Sequence, residues 1–278
     1  MVNIPPVRGN TNACVKKILM SNAAWAWEFL RRNMDYRLDF TKEHWNRPNV
    51  ESLSTGTQLI TGKRRYNEAR KWGLLFFADP DFTALQAEVF WKPSVFPATL
   101  RVKLGDPEFE TLMERENFCS VTDSVILSQL CCRRILFDSI TGSRHIVLNA
   151  GRYWLQLYCD GPHPIDDEAV IHFRIDGVKH SEQRMKTARH LLDLHRSSGG
   201  KLSQMSGRKN ARKLQESLIA LDVKKNKGSY QDIARALVGN ERTDLEWDSA
   251  NCCLKDKARR ALAMGKKYRD GDYLTLLG

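Results

Sequence analysis

The apolar positions of this chain change period along its length. Between residues 21 and 33, Trp25 and Phe29, and Ala26 and Leu30, stand four apart. That spacing predicts a helix, with Ser21 as its cap and Asn33 as its end. Residues 35–48 mix aromatic and charged side chains without a period, and 50–63, rich in Ser, Thr and Gly, reads as a loop. Residues 66–77 fit a helix broken at Gly73 or a helix followed by a strand. Residues 100–104 alternate apolar and basic side chains, the pattern of a half-buried strand. Strand candidates follow at 135–137, 145–148, 153–159 and 170–175, each bounded by a turn that carries glycine. They predict a small antiparallel sheet.

From residue 181 the period becomes helical. A helix over 181–196 turns Met185, Ala188, Leu191, Leu192 and His195 inward, and Ser-Ser-Gly-Gly at 197–200 ends it. A second, over 208–222, carries Ala211, Leu214, Leu218 and Leu221 on one stripe. Ser229 caps a short helix over 230–238, with Ile233, Ala234 and Leu237 inside, and Gly239 stops it. Ser249 caps a last helix over 250–270, with Cys253, Ala258, Leu262 and Tyr268 among its apolar positions. The predicted fold is α+β: an N-terminal aromatic-rich domain with a small antiparallel sheet, then an all-helical, helix-turn-helix-like C-terminal domain. The divisions expected are 1–95, 96–178 and 179–278. The stretch 239–248 is longer than the ~3–4-residue turn of a simple helix-turn-helix.

Charge gives this organisation a direction. The 278 residues hold 44 Lys and Arg against 33 Asp and Glu, a net charge of +11. Residues 179–278 contain 22 of the basic and 12 of the acidic side chains, so nearly all the excess sits there. A localised basic excess fits either a solvated surface or a polyanion partner, usually nucleic acid. On the last helix Lys255, Arg259 and Lys266, and beside them Lys257, Arg260 and Lys267, make two basic clusters. Arg208, Lys209, Arg212 and Lys213 add a cationic group at the start of an earlier helix, the unfavourable end of its dipole. A phosphate would relieve that charge. Arg can read guanine edges in the major groove, whereas Lys mostly meets phosphate. These ten residues are the candidate DNA contacts.

Other chemistries find little support. The seven cysteines (Cys14, Cys119, Cys131, Cys132, Cys159, Cys252, Cys253) are odd in number and lack CxxC spacing. That argues against a zinc site and a disulfide framework, and a reducing cytoplasm fits them best. No secretory signal or membrane-length apolar run is read. The seven histidines form no HExxH or Cys/His ligand set, and no phosphate-binding glycine motif occurs. Asp166-Asp167-Glu168 could in principle serve a metal-dependent nuclease, yet acidic residues after a proline turn are usually a solvated loop. No catalytic residue, metal or cofactor is expected. The aromatic set Trp25, Trp27, Phe29, Tyr36, Trp45, Trp72, Phe76, Phe77, Phe90 and Trp91 reads first as a core. Its other reading is an interface with a second copy or with RNA polymerase.

Two segments resemble a known family. Residues 228–237 (GSYQDIARAL) and the ending at 255–261 and 268–277 (KDKARRA, YRDGDYLTLL) are similar to the RovC-type DNA-binding domain, as is Ala220-Leu221-Asp222. Residues 25–37 (WAWEFLRRNMDYR), with Trp72-Gly73-Leu74, Ala78-Asp79-Pro80 and Val89-Phe90-Trp91-Lys92-Pro93, resemble the transcriptional-regulator-like domain often joined to it. Met34 departs from the family's proline, and Asp272 stands where a second glycine is common. The resemblance implies a bacterial transcription activator of type VI secretion or mobile-element genes. It places Lys255, Lys257, Arg259 and Arg260 on the DNA-facing helix and implies a homo-oligomer on promoter DNA. The expected function is sequence-specific, non-enzymatic regulation on double-stranded DNA. The alternative is a protein-binding adaptor or anti-activator with a degenerate helix-turn-helix.

Overall fold

The computed structural model describes residues 20–43, 47–106, 124–150, 153–161, 163, 167–196, 210–249 and 253–278. Two compact units emerge. One comprises residues 20–196 with the tail Tyr268–Gly278, and the other residues 210–267.

The first unit opens with two helices in tandem. α1 (Asn22–Leu30) starts at Ser21, whose Oγ accepts from the Ala24 amide at 3.2 Å. Trp25, Trp27, Phe29 and Leu30 are all buried, so the helix is enclosed on every side. Its one carboxylate, Glu28, is buried too and accepts from Arg31 Nε (2.6 Å), Arg32 Nη1 (2.7 Å) and the Ala84 amide (2.9 Å). Burial opposes its charge, but the neighbouring guanidinium groups and the amide hold its pKa below the usual value. Asn33 does not merely end α1. Its Oδ1 accepts from the Tyr36 amide at 3.0 Å and so caps α2 (Met34–Lys42). The aperiodic segment after residue 34 is therefore helical, with only Tyr36 buried and no apolar stripe to announce it.

The small antiparallel sheet expected from the sequence is instead a seven-stranded mixed sheet spanning residues 49–174. Its strands are β1 (Asn49–Ser52), β2 (Gln58–Thr61), β3 (Leu100–Gly105), β4 (Arg133–Asp138), β5 (Arg144–Asn149), β6 (Trp154–Cys159) and β7 (Val170–Arg174). A short helix α3 (Asn67–Arg70) lies between β2 and β3. The spatial order is β1-β2-β4-β5-β6-β3-β7. β4, β5 and β6 form the expected meander. β2 runs parallel to β4 (Gln58 opposite Ile135), and β3 parallel to β6 (Leu100 opposite Leu157) and antiparallel to β7. The polar segment read as a loop is the β1–β2 hairpin. The edge strand β1 escapes a pattern reading because exposed positions need no apolar alternation: all four of its residues are exposed. The parallel pairings join distant segments and leave no local signature.

One sheet face, with Leu100, Val102, Leu136, Ile146, Leu155, Leu157 and Ile171, packs with Ala188, Leu191 and Leu194 of α4 (Ser181–Arg196) in one core. On β4, Phe137 meets Phe76 (4.8 Å between ring centres) and Phe90 (5.7 Å). Gln156, fully buried in β6, donates to the Trp91 carbonyl at 2.5 Å and accepts from the Trp91 amide at 2.9 Å. Its amide thus pairs a segment that no strand reaches. The aromatic residues of the N-terminal set are core residues here, with Trp72 half-buried; Trp45 lies outside the described residues. Asp167 of the acidic cluster is buried. It accepts from Thr55 and Thr57 hydroxyls and pairs with Arg134 at 3.4 Å, tying the β1–β2 turn to β4. Asp166 lies outside the described residues.

Among the described residues the second unit contains four helices: α5 (Ala211–Lys225), α6 (Tyr230–Val238), α7 (Asn240–Glu246) and α8 (Cys253–Arg269), whose last residues belong to the first unit. Between residues 181 and 276 the described elements are all helical, but the helix-turn-helix outline needs correction. The ten-residue gap before the last helix contains α7, joined to α6 through Gly239 alone. Its sequence hides it. Leu245 points to solvent, and Thr243, the buried residue, donates to the Gly239 carbonyl at 2.8 Å. Among the described residues no helix is long and apolar enough to cross a membrane, and no cluster of His, Cys, Asp or Glu could hold a metal.

Candidate nucleic-acid interface

Eight of the ten candidate contacts are carried by α5 and α8. α8 buries Leu254, Ala258, Ala261, Leu262 and Gly265, and α5 buries Leu214, Ser217, Ala220 and Leu221. Both are helical stripes. Gly265 sets how closely they approach: a Cβ there would lie 2.7 Å from the Ser217 carbonyl oxygen and 2.8 Å from Leu221 Cγ. Only a hydrogen fits that crossing. Ala258 and Ala261 continue the small-residue seam.

The close crossing opens a groove of about 290 Å³ lined by Lys213, Glu216 and Ser217 of α5 and Lys257, Arg260, Ala261 and Met264 of α8. Lys213 and the α8 pair Lys257 and Arg260, expected in two separate basic clusters, meet here. Ser217 Oγ donates back to the Lys213 carbonyl at 2.7 Å, leaving the groove wall without a hydroxyl hydrogen to offer. Lys257 Nζ lies 3.0 Å from Glu216 Oε1, and Arg212 Nε approaches the same oxygen at 3.1 Å.

Among the described residues, the other expected contacts do not line the groove. Arg259 is exposed, 3.7 Å from the equally exposed Asp256. Lys255 Nζ stands 5.4 Å from the centre of the Trp247 ring, a cation–π distance. Lys266 and Lys267 are exposed near the end of α8. Arg260 Nε donates to the Asp256 carbonyl at 3.3 Å. Arg208, Lys209 and Cys252 lie outside the described residues. Glu216 was not among the expected site residues. The Arg212–Glu216 spacing hints at a helical pair, but its partner Lys257 arrives only through the α5–α8 crossing.

α6 is fixed by local devices. Ser229 Oγ accepts from the Asp232 amide at 3.1 Å, and Asp232 accepts from the Ser229 amide at 2.8 Å, a reciprocal capping box. The Ser229 amide and hydroxyl hold the Asp232 carboxyl below its usual pKa. Arg235 pairs with Asp244 of α7 at 3.0 Å. These charges serve the unit's own structure.

Comparison with known families matches residues 173–278 to a DNA-binding domain model for type VI secretion transcription factors, the RovC DNA-binding domain. Residues 19–77 match the proteobacterial transcriptional regulator-like domain. The C-terminal part of the chain is thus similar to RovC-type DNA-binding domains. A comparison with curated proteins gives no match. Together the two domains indicate a DNA-binding transcriptional regulator linked to type VI secretion, with DNA as its partner. The RovC-type span begins in β7, takes in α4 and ends in the tail, so it includes parts of both compact units.

Proposed function

We propose that this protein is a promoter-binding transcription activator that reads DNA with α8. Lys255, Lys257, Arg259, Arg260, Lys266 and Lys267 form the principal contact set, and Arg208, Lys209, Arg212 and Lys213 extend it. The observation that carries this reading is the groove, where Lys213, Lys257 and Arg260 converge from the two helices. The mechanism is binding. Cations on both helices neutralise phosphates and supply most of the affinity, with a steep dependence on salt. Arginines on α8 then discriminate at base edges. Binding as a homo-oligomer would let two copies meet a symmetric site and hold RNA polymerase at the promoter.

Replacing Arg259 and Arg260 together with alanine tests it. Both side chains are exposed, so the fold should keep its circular dichroism. Binding to the DNA immediately upstream of the coding sequence should weaken by roughly 1–3 kcal/mol per arginine in a base contact. Unchanged affinity in a correctly folded double variant would refute α8 as the reading helix. Recovery of a stoichiometric protein partner, with no DNA retained, would favour the adaptor instead.

A further inference from the structure

Within the reading just given, we propose that Glu216 is a specificity-determining residue, an internal competitor that withholds Lys257 and Arg212 from loosely bound DNA. Among the described residues it is the groove's only carboxylate, and both cations share its Oε1, at 3.0 and 3.1 Å. The α5–α8 interface does not need this arrangement. Apolar and small side chains build that interface, with Gly265 against Ser217 and Leu221 at its closest point. The triad sits at the rim, where Arg212 is 83% exposed and Lys257 26%. Ion pairs at such sites add little to stability. Their effect on an approaching polyanion is direct, because a phosphate must displace Glu216 to reach Lys257 and is repelled by it until then.

The exchange separates two modes of binding. On DNA of arbitrary sequence nothing fixes a phosphate beside Lys257, so Lys257 stays with Glu216 and the carboxylate opposes the backbone. On a recognised site, contacts from α8 hold the duplex in register, and a phosphate takes the carboxylate's place. Glu216 thereby lowers non-specific affinity more than specific affinity, and specificity is that difference.

Glu216→Gln tests this, because the amide keeps the shape and removes the charge. Glu241→Gln, at an exposed position of α7, is the control for net charge. Binding is measured across a salt series on a mixed-sequence duplex and on the DNA upstream of the coding sequence. For Glu216→Gln the mixed-sequence slope of log K against log salt should steepen by about 0.9 per released cation, and affinity near ~0.1 M salt should rise about tenfold. The upstream slope should stay near its original value, so discrimination falls about tenfold. In the Glu216→Gln background, Lys257→Gln should abolish the gain. Equal gains on both duplexes, gains matched by Glu241→Gln, or an unchanged slope would overturn the proposal while leaving DNA reading by α8 intact. Failure of the unaltered protein to bind or discriminate DNA would overturn both.

Discussion

Lys227 sits where a glycine is usually found. α5 ends with the Lys227 amide donating to the Lys224 carbonyl and the Gly228 amide to that of Val223, each at 3.0 Å. This is a Schellman motif, and its left-handed residue is Lys227, at φ 62°. Gly228, one position later, is needed for another reason: a Cβ there would lie 2.5 Å from Val223 Cγ1. The backbone strain falls on the lysine before the glycine. Lys227→Gly should therefore stabilise the helical unit by about 1 kcal/mol. A higher denaturant midpoint at unchanged m-value is the expected readout, and a lower midpoint would show that the lysine side chain outweighs the backbone.

At the level of the element, β5 contains the clearest titratable burden. His145 is buried between Phe137 of β4 and Tyr158 of β6, with ring centres at 6.1 and 4.9 Å. Its Nδ1 has no hydrogen-bond partner among the described residues. Burial lowers its pKa from 6.5 to about 4, although Asp138 acts in the opposite sense. The unfolded chain therefore takes up a proton near pH 6.5 that the folded sheet refuses. Stability contributed by the neutral imidazole is complete above pH 6.5 and is lost as pH falls toward 4, by roughly 3 kcal/mol. Urea denaturation at pH 7 and pH 4.5 should show this loss, and His145→Phe should reduce it. Equal pH dependence in the variant would assign the loss to other groups. The histidine is visible in the sequence, but its burial is not: β5 is buried on both faces, and that follows from its central place in the sheet.

Considering the whole chain, the last residues belong to the sheet unit although the family match assigns them to the DNA-binding domain. Asn33, which caps α2 with its oxygen, donates through Nδ2 to the Arg269 carbonyl at 3.0 Å. Phe29 meets Tyr268 at 5.1 Å between ring centres, and Tyr273 donates to the Trp72 carbonyl at 3.0 Å. Tyr273, Leu276 and Leu277 are buried. The tail completes the core around α1, so Tyr273→Ala should destabilise the sheet unit by about 3–5 kcal/mol, with a lowered thermal midpoint in tryptophan fluorescence. An unchanged midpoint would show that the tail is dispensable there.

Much was legible without coordinates. The periods marked α1, α4, α6 and the strands of the meander, and Ser21 and Ser229 declared two helix starts, because these signals depend on neighbours a few residues apart. The charge excess and the two family resemblances pointed to DNA. What only the tertiary structure decided is non-local. The parallel pairings enlarged the sheet and drew the β1–β2 hairpin into it. The tail entered the sheet unit, and the crossing at Gly265 brought Glu216 to Lys257. Each joins segments far apart in the chain. Their pairing depends on which surfaces exclude water together and how closely two backbones can approach, and a local pattern records neither.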